Sequence, residues 1–213
     1  MKIITNHRDI EAKSFKIVAK YLSNLKLPVL EKEVLKRVLH ATSDLKYVKD
    51  LLFHAKAVRE GLAAIKKGRN IVVDASMVKA GINKKALADF GGKVICLINN
   101  KDVSIKASRL NITRSILAMR KSRELMNGVI VAIGNAPTAL FEVCDLISKG
   151  KAKPSLIIGL PVGFVGAKEA KKKLRSLETP YITNRSRYGG SSVAAACVNA
   201  LLKIAKGERR MHA

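Results

Sequence analysis

The first third of the chain has the hydrophobic spacing of amphipathic helices. In residues 9–25, apolar side chains recur every three or four positions. Pro28 ends this segment, and a second amphipathic stretch covers residues 31–40. A third covers residues 55–67 and stops at Gly68, a residue type that is common just after a helix. The pattern therefore predicts three N-terminal helices.

After Gly68 the pattern changes to short apolar runs, most of them followed by a helical pattern. Several runs are apolar throughout, which is typical of parallel strands buried on both faces of a sheet. Alternating strands and helices indicate an α/β fold: a doubly wound, mostly parallel sheet flanked by helices. We expect residues 1–213 to form a single domain. The predicted strands are 70–74, 93–98, 129–133, 155–159 and 181–183, and the predicted helices are 113–126, 138–149, 167–177 and 191–206.

Composition does not change the predicted fold, but it indicates where in the cell the protein is located. The 213 residues are 48% hydrophobic, enough for one sizeable core. No stretch approaches the roughly 18–20 continuous apolar residues of a membrane span, and residues 1–8 lack the apolar centre of a signal peptide. Cys96, Cys144 and Cys197 lie far apart, so we expect buried thiols without disulfides or zinc. We expect a cytoplasmic protein with no membrane partner.

Charge is the most informative property of the composition. Lys and Arg number 41 against 16 Asp and Glu, a formal net charge of +25. Such a field attracts polyanions. Only nine residues are Tyr or Phe and none is Trp, so few side chains could stack on nucleic-acid bases. The basic residues are also spread along the chain. The balance predicts a small ligand with several carboxylates or phosphates, and no nucleic acid.

Three glycine-marked loops follow predicted strands, at residues 134–138, 159–166 and 189–192. Ligands of such sheets bind beyond the carboxyl ends of the strands. Glycine lets backbone N–H groups approach a ligand closely, and helix N-termini favour anions. Three such loops on one edge would suit a ligand with several carboxylates. The chain has neither a Walker A loop nor a complete dinucleotide fingerprint, so no nucleotide cofactor is expected.

The four histidines are candidates for acid–base chemistry. They have no metal-ligand spacing, so no metal site is expected. His7 and His212 lie near the termini, and His54 suits a packing or capping role. His40 ends a predicted helix, one turn after Arg37, where the helix dipole favours the charged imidazolium. Spacing alone leaves His40 open as either a capping residue or an acid.

An ordered set of motifs runs through almost the whole chain and resembles the precorrin-8X methylmutases, also called cobalt-precorrin-8 methylmutases. Any one of these motifs would be weak evidence, but the ordered set is highly specific for this family. The motifs are Ile10 with Ser14 and Phe15, then residues 37–42, 74–78 with Gly81, 113–115, 131–141, 161–167, 189–191 and 198–201.

The resemblance implies an isomerase of corrin biosynthesis that moves a methyl group between neighbouring carbons of ring C to give hydrobyrinic acid. It implies no redox cofactor and no methyl donor; any cobalt belongs to the tetrapyrrole substrate. It also implies a homodimer. His40 matches the catalytic proton donor and acceptor of the family. The residues predicted to bind substrate are Ser14, Arg37, Arg114, Gly163, Gly189, Gly190 and Ser191.

Two features depart from the family pattern. Ser43 stands where many members have glycine, so the turn after His40 is expected to differ in shape. Residues 184–188 are less regular than the usual basic, glycine-containing stretch, which leaves Arg185 and Arg187 open as ligand contacts. Two other functions compete with the isomerase: a non-catalytic carrier of corrin intermediates and a basic RNA-associated protein. Turnover would distinguish the enzyme from the carrier.

Overall fold

The computed structural model describes residues 5–211, apart from the side chains of residue 8 and of residues 208–211. His212 and the first four residues lie outside this range. Eleven helices and six strands are described. The helices are α1 His7–Leu22, α2 Val29–Thr42, α3 Tyr47–Asp50, α4 Ala57–Lys66, α5 Ser76–Gly81, α6 Lys84–Ala88, α7 Lys101–Arg109, α8 Arg114–Lys121, α9 Pro137–Ser148, α10 Ala167–Arg175 and α11 Ser191–Met211. The strands are β1 Leu51–Phe53, β2 Ile71–Val73, β3 Val94–Ile95, β4 Ile130–Ile133, β5 Leu156–Gly159 and β6 Tyr181–Asn184.

All six strands belong to one sheet in the order β1-β6-β5-β4-β2-β3. Strands β2 to β6 are parallel to one another, and β1 pairs antiparallel with β6 at the edge of the sheet. The predicted mostly parallel α/β sheet is therefore confirmed, and each of the five predicted strands overlaps an observed one.

Alternate residues of the central strands face two separate hydrophobic clusters. Ile130 and Ala132 of β4 pack on one side, whereas Val131 and Ile133 pack on the other. Helices α4, α5 and α11 cover the first side, and α7 to α10 cover the second. Because both faces are covered, these strands are apolar throughout, as the sequence pattern indicated.

The N-terminal helices form an additional layer outside the sheet. Helix α2 packs against α11, and α1 packs against α2. Val34, Leu35, Val38 and Leu39 form the buried stripe of α2. This arrangement places the C-terminal end of α2, which carries His40, beside α11.

Five elements were not predicted: β1, α3, α5, α6 and α7. The first four are too short to show a period, and in the nine-residue α7 only Val103 and Ala107 are buried. Strand β1 has three residues and only one neighbour. Helices α5 and α6 have six and five residues, too few for a helical period to emerge. The predicted helix 113–126 is interrupted at Ser122, whose buried hydroxyl donates to the carbonyl of Ala118; a short 3-10 turn, Arg123–Met126, follows.

Among the described residues, no helix is both long and apolar enough to cross a membrane.

Gly159 provides a test of the packing between β5 and its covering helices. A Cβ atom at this position would lie 2.5 Å from Leu174 Cδ2 and 3.2 Å from Leu140 Cδ1, and both leucines are fully buried. We expect Gly159→Ala to lower the free energy of unfolding by about 1–3 kcal/mol, measured by urea denaturation. Gly207→Ala is the control, because open space surrounds Gly207 in α11; it should stabilise by about 0.5–1 kcal/mol. Equal stability of the Gly159→Ala and wild-type proteins would contradict this description of the packing.

Candidate active site

His40 lies in the last turn of α2 and is half-buried. Its Nδ1 atom is 2.8 Å from the hydroxyl oxygen of Ser14 on α1. A hydroxyl can donate to a bare ring nitrogen or accept from a protonated one, so Ser14 can hold the imidazole in either charge state. The Phe15 ring packs on the imidazole with 4.8 Å between centroids. Among the described residues, Nε2 forms no hydrogen bond.

His40 and Arg37 line a cavity of about 570 Å³, a volume typical of small-molecule sites. The cavity lies between α2, the α5–α6 segment and one side of α11. Other residues that line it include Gly81, Asn83, Ser192, Asn199, Lys203 and Lys206. The structure therefore places two of the predicted site residues in one cavity. Ser14 does not line this cavity, but its hydroxyl is hydrogen-bonded to His40.

Arg37 has a protein carboxylate as its present partner. Its guanidinium Nη1 donates to Glu11 Oε1 at 2.9 Å, and the group also lies 5.3 Å from the centre of the Phe15 ring. The hydrogen bond from Arg37 is the main reason why the pKa of Glu11 is lowered. A ligand carboxylate that binds Arg37 would thus compete with a half-exposed glutamate of α1.

The amides of the first glycine-marked loop bind an internal carboxylate. Asp74 directly follows β2 and is 1% exposed. Its two oxygens accept hydrogen bonds from the N–H groups of Gly134, Asn135 and Ala136, at 2.8–2.9 Å. Burial raises the pKa of Asp74, whereas these three donors favour the carboxylate. The expected ligand anion is therefore replaced here by the protein's own side chain.

A second aspartate holds the loop after β6. The carboxylate of Asp50 accepts hydrogen bonds from the N–H groups of Arg185 and Ser186, from the Ser186 hydroxyl, and from the Asn184 side chain. Burial acts to raise the pKa of Asp50, but hydrogen bonds from Ser186 and Asn184 outweigh it, and the pKa is lowered. Asp50 ends α3, one of the short elements that the sequence pattern did not reveal.

A buried lysine supports the same loop from its other side. Lys171 of α10 is fully buried, and its ammonium group donates to the carbonyls of Ser186 and Tyr188 at 2.9 and 2.5 Å. Burial lowers its pKa to about 8, with Asp50 acting in the opposite direction. A run of basic residues such as 171–175 is typical of an exposed helix face, so this run does not reveal the buried position of Lys171. Its four-residue spacing from the apolar Ala167 was the available signal of an inward position.

The second and third glycine-marked loops are bonded to each other. The N–H of Gly163 donates to Arg187 O, and the N–H of Gly190 donates to Leu160 O. A Cβ atom at Gly189 would overlap the carbonyl oxygen of Leu160, so only glycine permits this approach. The N–H groups of Gly163 and Gly190 thus donate to neighbouring backbone carbonyls in this structure, and substrate binding by these two glycines stays a prediction.

The remaining predicted residues lie near the same edge of the sheet. Arg114 is exposed at the start of α8, where Thr113 Oγ1 contacts Thr138 Oγ1 of α9. Helix α8 covers the opposite face of the sheet from α11, and Arg114 does not line the 570 Å³ cavity that contains His40. Ser191 begins α11, immediately before the cavity residue Ser192.

The two arginines that the sequence left open have protein contacts. Arg185 donates from its guanidinium to Lys49 O at 3.1 Å. Arg187 lies over the rings of Phe164 and Tyr188, 4.9 and 5.5 Å from their centroids. Phe164 itself is 87% exposed. The loop therefore presents an aromatic and cationic rim beside Gly163.

The two other histidines that the structure describes, His54 and His7, lie away from this cavity. His54 follows β1, accepts a hydrogen bond from Lys56 N–H on Nδ1, and packs edge-on against Tyr181. His7 is exposed at the start of α1. Within residues 5–211, no group of three or more His, Cys, Asp or Glu side chains is placed to hold a metal ion.

The sequence and fold match one enzyme family throughout. A family model described as precorrin-8X methylmutase matches residues 9–204. A cobalt-precorrin-8 methylmutase from Priestia megaterium is 43% identical over 198 residues, which cover 93% of this chain and 88% of that protein. The chain belongs to the precorrin-8X methylmutase family.

Further relatives agree with this assignment. A precorrin-8X methylmutase from Pseudomonas aeruginosa is 46% identical over 167 residues, covering 78% of this chain and 80% of that protein. The crystal structure of a precorrin-8X methylmutase from Thermus thermophilus superposes with a TM-score of 0.88 at 38% identity, covering 94% of this chain and 97% of that one. As a methylmutase, the chain is an isomerase of cobalamin biosynthesis that catalyses methyl migration.

The turn after His40 contains Ser43, at the position where many methylmutases have glycine. Ser43 has φ 53° and ψ 22°, a left-handed conformation that glycine adopts without strain. Its N–H still donates to Leu39 O at 2.8 Å, so the helix ends with a normal left-handed cap.

The lowered pKa of Asp50 predicts how the loop after β6 responds to acid. Its contribution to stability is present above the pKa of an unfolded aspartate, about 3.9, and is lost as pH falls through the lower folded value. We expect Asp50→Asn to be less stable than wild type by about 1–3 kcal/mol at pH 6, with the difference narrowing below about pH 4. Urea denaturation at several pH values measures this, with the exposed Glu178→Gln as control. A difference that stays constant down to pH 3 would contradict the assignment.

Proposed function

We propose that this methylmutase moves a methyl group within ring C of precorrin-8 or its cobalt complex, with His40 as general acid. The observation that carries the proposal is the position of His40: its Nδ1 is held by Ser14, and its ring lines a cavity that also contains Arg37. The relatives bear names of both the metal-free and the cobalt-containing kind, so cobalt is treated as part of the substrate.

The chemistry requires one proton that is delivered and then taken back. Protonation of the conjugated tetrapyrrole makes the ring system a better electron sink, which favours methyl migration to the neighbouring carbon. Loss of a proton then restores the neutral isomer. An imidazole suits both steps because it titrates near neutral pH. The proposed reaction consumes no redox cofactor and no external methyl donor.

The carboxylates of the substrate supply the recognition. Arg37 in the cavity and Arg114 on the same edge of the sheet can each bind a carboxylate through two N–H groups. Glu11, which now holds Arg37, would be displaced by the ligand. Because Gly163 and Gly190 already donate to backbone carbonyls, side-chain cations carry more of the binding in this proposal than backbone amides do.

Replacing His40 by asparagine tests the acid directly. His40→Asn retains a polar side chain of similar size but has no titrating proton. We expect turnover to fall roughly 10²- to 10⁴-fold, the usual contribution of a positioned general acid. The product should still bind, because the cationic side chains remain. The absorbance change during incubation with precorrin-8 measures turnover, and titration with hydrobyrinic acid measures binding.

The control for this variant is His54→Asn. His54 caps a turn and packs against Tyr181 outside the cavity, so its loss should cost little activity. Near-wild-type turnover by His40→Asn would contradict the proposal, and a large loss in His54→Asn alone would transfer the role to that residue.

We also propose that the enzyme acts as a homodimer, with α1 at the interface. Ile10, Ile17 and Tyr21 on α1 are 47%, 50% and 53% exposed, and they line an apolar groove of about 410 Å³ with Leu45. Exposed apolar surface of this kind is typical of contact faces. A second copy of the chain is the proposed occupant of this groove. Ser14 of α1 also lines the groove and contacts His40, so the second copy would help to enclose the substrate.

Sedimentation at micromolar concentration tests the dimer. Wild type should sediment as a dimer, and Ile17→Glu should shift it to the monomer because a charge would be buried in the interface. Ala12→Glu makes the same charge change at an exposed position outside the apolar groove and should leave the dimer intact. A fully active wild-type monomer would overturn this proposal.

A further inference from the structure

Three cationic groups surround the ring of Phe15 beside the catalytic histidine. Lys36 Nζ, Arg37 Cζ and Lys203 Nζ lie 5.1, 5.3 and 5.4 Å from the ring centroid. The His40 ring contacts the same phenyl group. Like charges this close repel one another, and attraction to the face of one ring offsets only part of that repulsion.

Carboxylates of the protein neutralise two of these three cations. Lys36 pairs with Glu33 at 3.4 Å, and Arg37 pairs with Glu11 at 2.9 Å. Lys203 forms no ion pair within the part of the chain that the structure describes. It does contribute to lowering the pKa of Glu11, after the larger effect of Arg37. Lys203 is therefore the member of the cluster whose charge is left for a ligand.

Lys203 also lies where it can contact a ligand in the His40 cavity. It lines the 570 Å³ cavity together with His40 and Arg37, and it lines a smaller cavity of about 210 Å³ that also touches Arg37 and Phe15. The lysine comes from α11, whereas Arg37 comes from α2. Cations from two different helices thus face one cavity, an arrangement that suits a ligand with more than one carboxylate.

We propose that Lys203 is a further substrate-binding residue of the His40 cavity and binds a carboxylate of the substrate. The inference rests on the proposed function, because it assumes a polycarboxylate tetrapyrrole in this cavity. It adds a binding residue on α11, distant in sequence from the motif that contains Arg37 and His40. Together, Arg37 and Lys203 would fix the substrate at two points while His40 transfers the proton.

The direct test is Lys203→Met, which keeps the apolar stem against Phe15 and removes the charge. Titration with hydrobyrinic acid, followed by absorbance, should show binding weakened roughly 5- to 30-fold. The KM for precorrin-8 should rise similarly, with kcat changed less than about twofold, since the proton donor is intact. Lys203→Arg should recover most of the affinity, and added salt should narrow the gap between wild type and Lys203→Met.

Two matched controls separate a contact from a general field effect. Lys36→Met removes the same charge from the same ring cluster, but Lys36 pairs with Glu33 and does not line the larger cavity. Lys151→Met removes an exposed charge from the loop between α9 and β5, at the opposite edge of the sheet. Neither should weaken hydrobyrinic acid binding more than about twofold.

The outcomes distinguish this inference from the proposed function. Wild-type turnover with unchanged binding in Lys203→Met overturns the role of Lys203 and leaves the isomerase standing. Equal weakening of hydrobyrinic acid binding in Lys203→Met and Lys36→Met also overturns this role. The loss of affinity would then come from the summed charge of the cations around Phe15, without a direct contact from Lys203. A wild-type protein that neither converts precorrin-8 nor binds hydrobyrinic acid overturns both.

Discussion

The carboxylate of Asp74 accepts hydrogen bonds from three backbone N–H groups of the loop that follows β4. The shape of the sheet edge at the carboxyl ends of the strands depends on this contact. It fixes how the chain passes from β4 into α9. Asp50 does the same for the loop after β6, with Lys171 holding the carbonyls of that loop. Buried polar groups of this kind are costly unless they are paired, so each network specifies one loop conformation.

This arrangement changes the role of the glycines. Gly189 permits the third loop to approach the carbonyl of Leu160, and Gly163 and Gly190 donate to backbone oxygens across the gap between loops. The glycines are thus needed for packing between loops, and in the proposed binding mode side chains bind the ligand. Cationic side chains are abundant enough for this role, because the formal net charge is +25 and many of the few acids already form ion pairs or hold loops.

The periodicity of the sequence was sufficient for the parallel sheet and for the long helices. Continuous apolar runs such as the one around Val131 can only be buried on both sides, and the structure places alternate residues of that strand in two clusters. Strand β1 and helices α3, α5 and α6 were missed because they are too short to show a period, and helix α7 was missed because only two of its nine residues are buried. For the site, motif resemblance brought out His40, Ser14 and Arg37, which the fold brings together. It did not reveal Asp50, Lys171 or Lys203, because their roles come from long-range contacts that local spacing does not encode.

The most direct test of acid catalysis by His40 is the pH dependence of the methyl shift in a single turnover. Excess wild-type enzyme is mixed with precorrin-8, and the rate of the absorbance change is followed between about pH 5 and pH 9. Acid catalysis by an imidazole predicts that this rate falls as pH rises through the range in which imidazoles lose their proton, and that His40→Asn shows a slow rate without that dependence. A wild-type rate that is independent of pH across this range, or an identical profile in His40→Asn, would contradict the assignment of His40 as the acid.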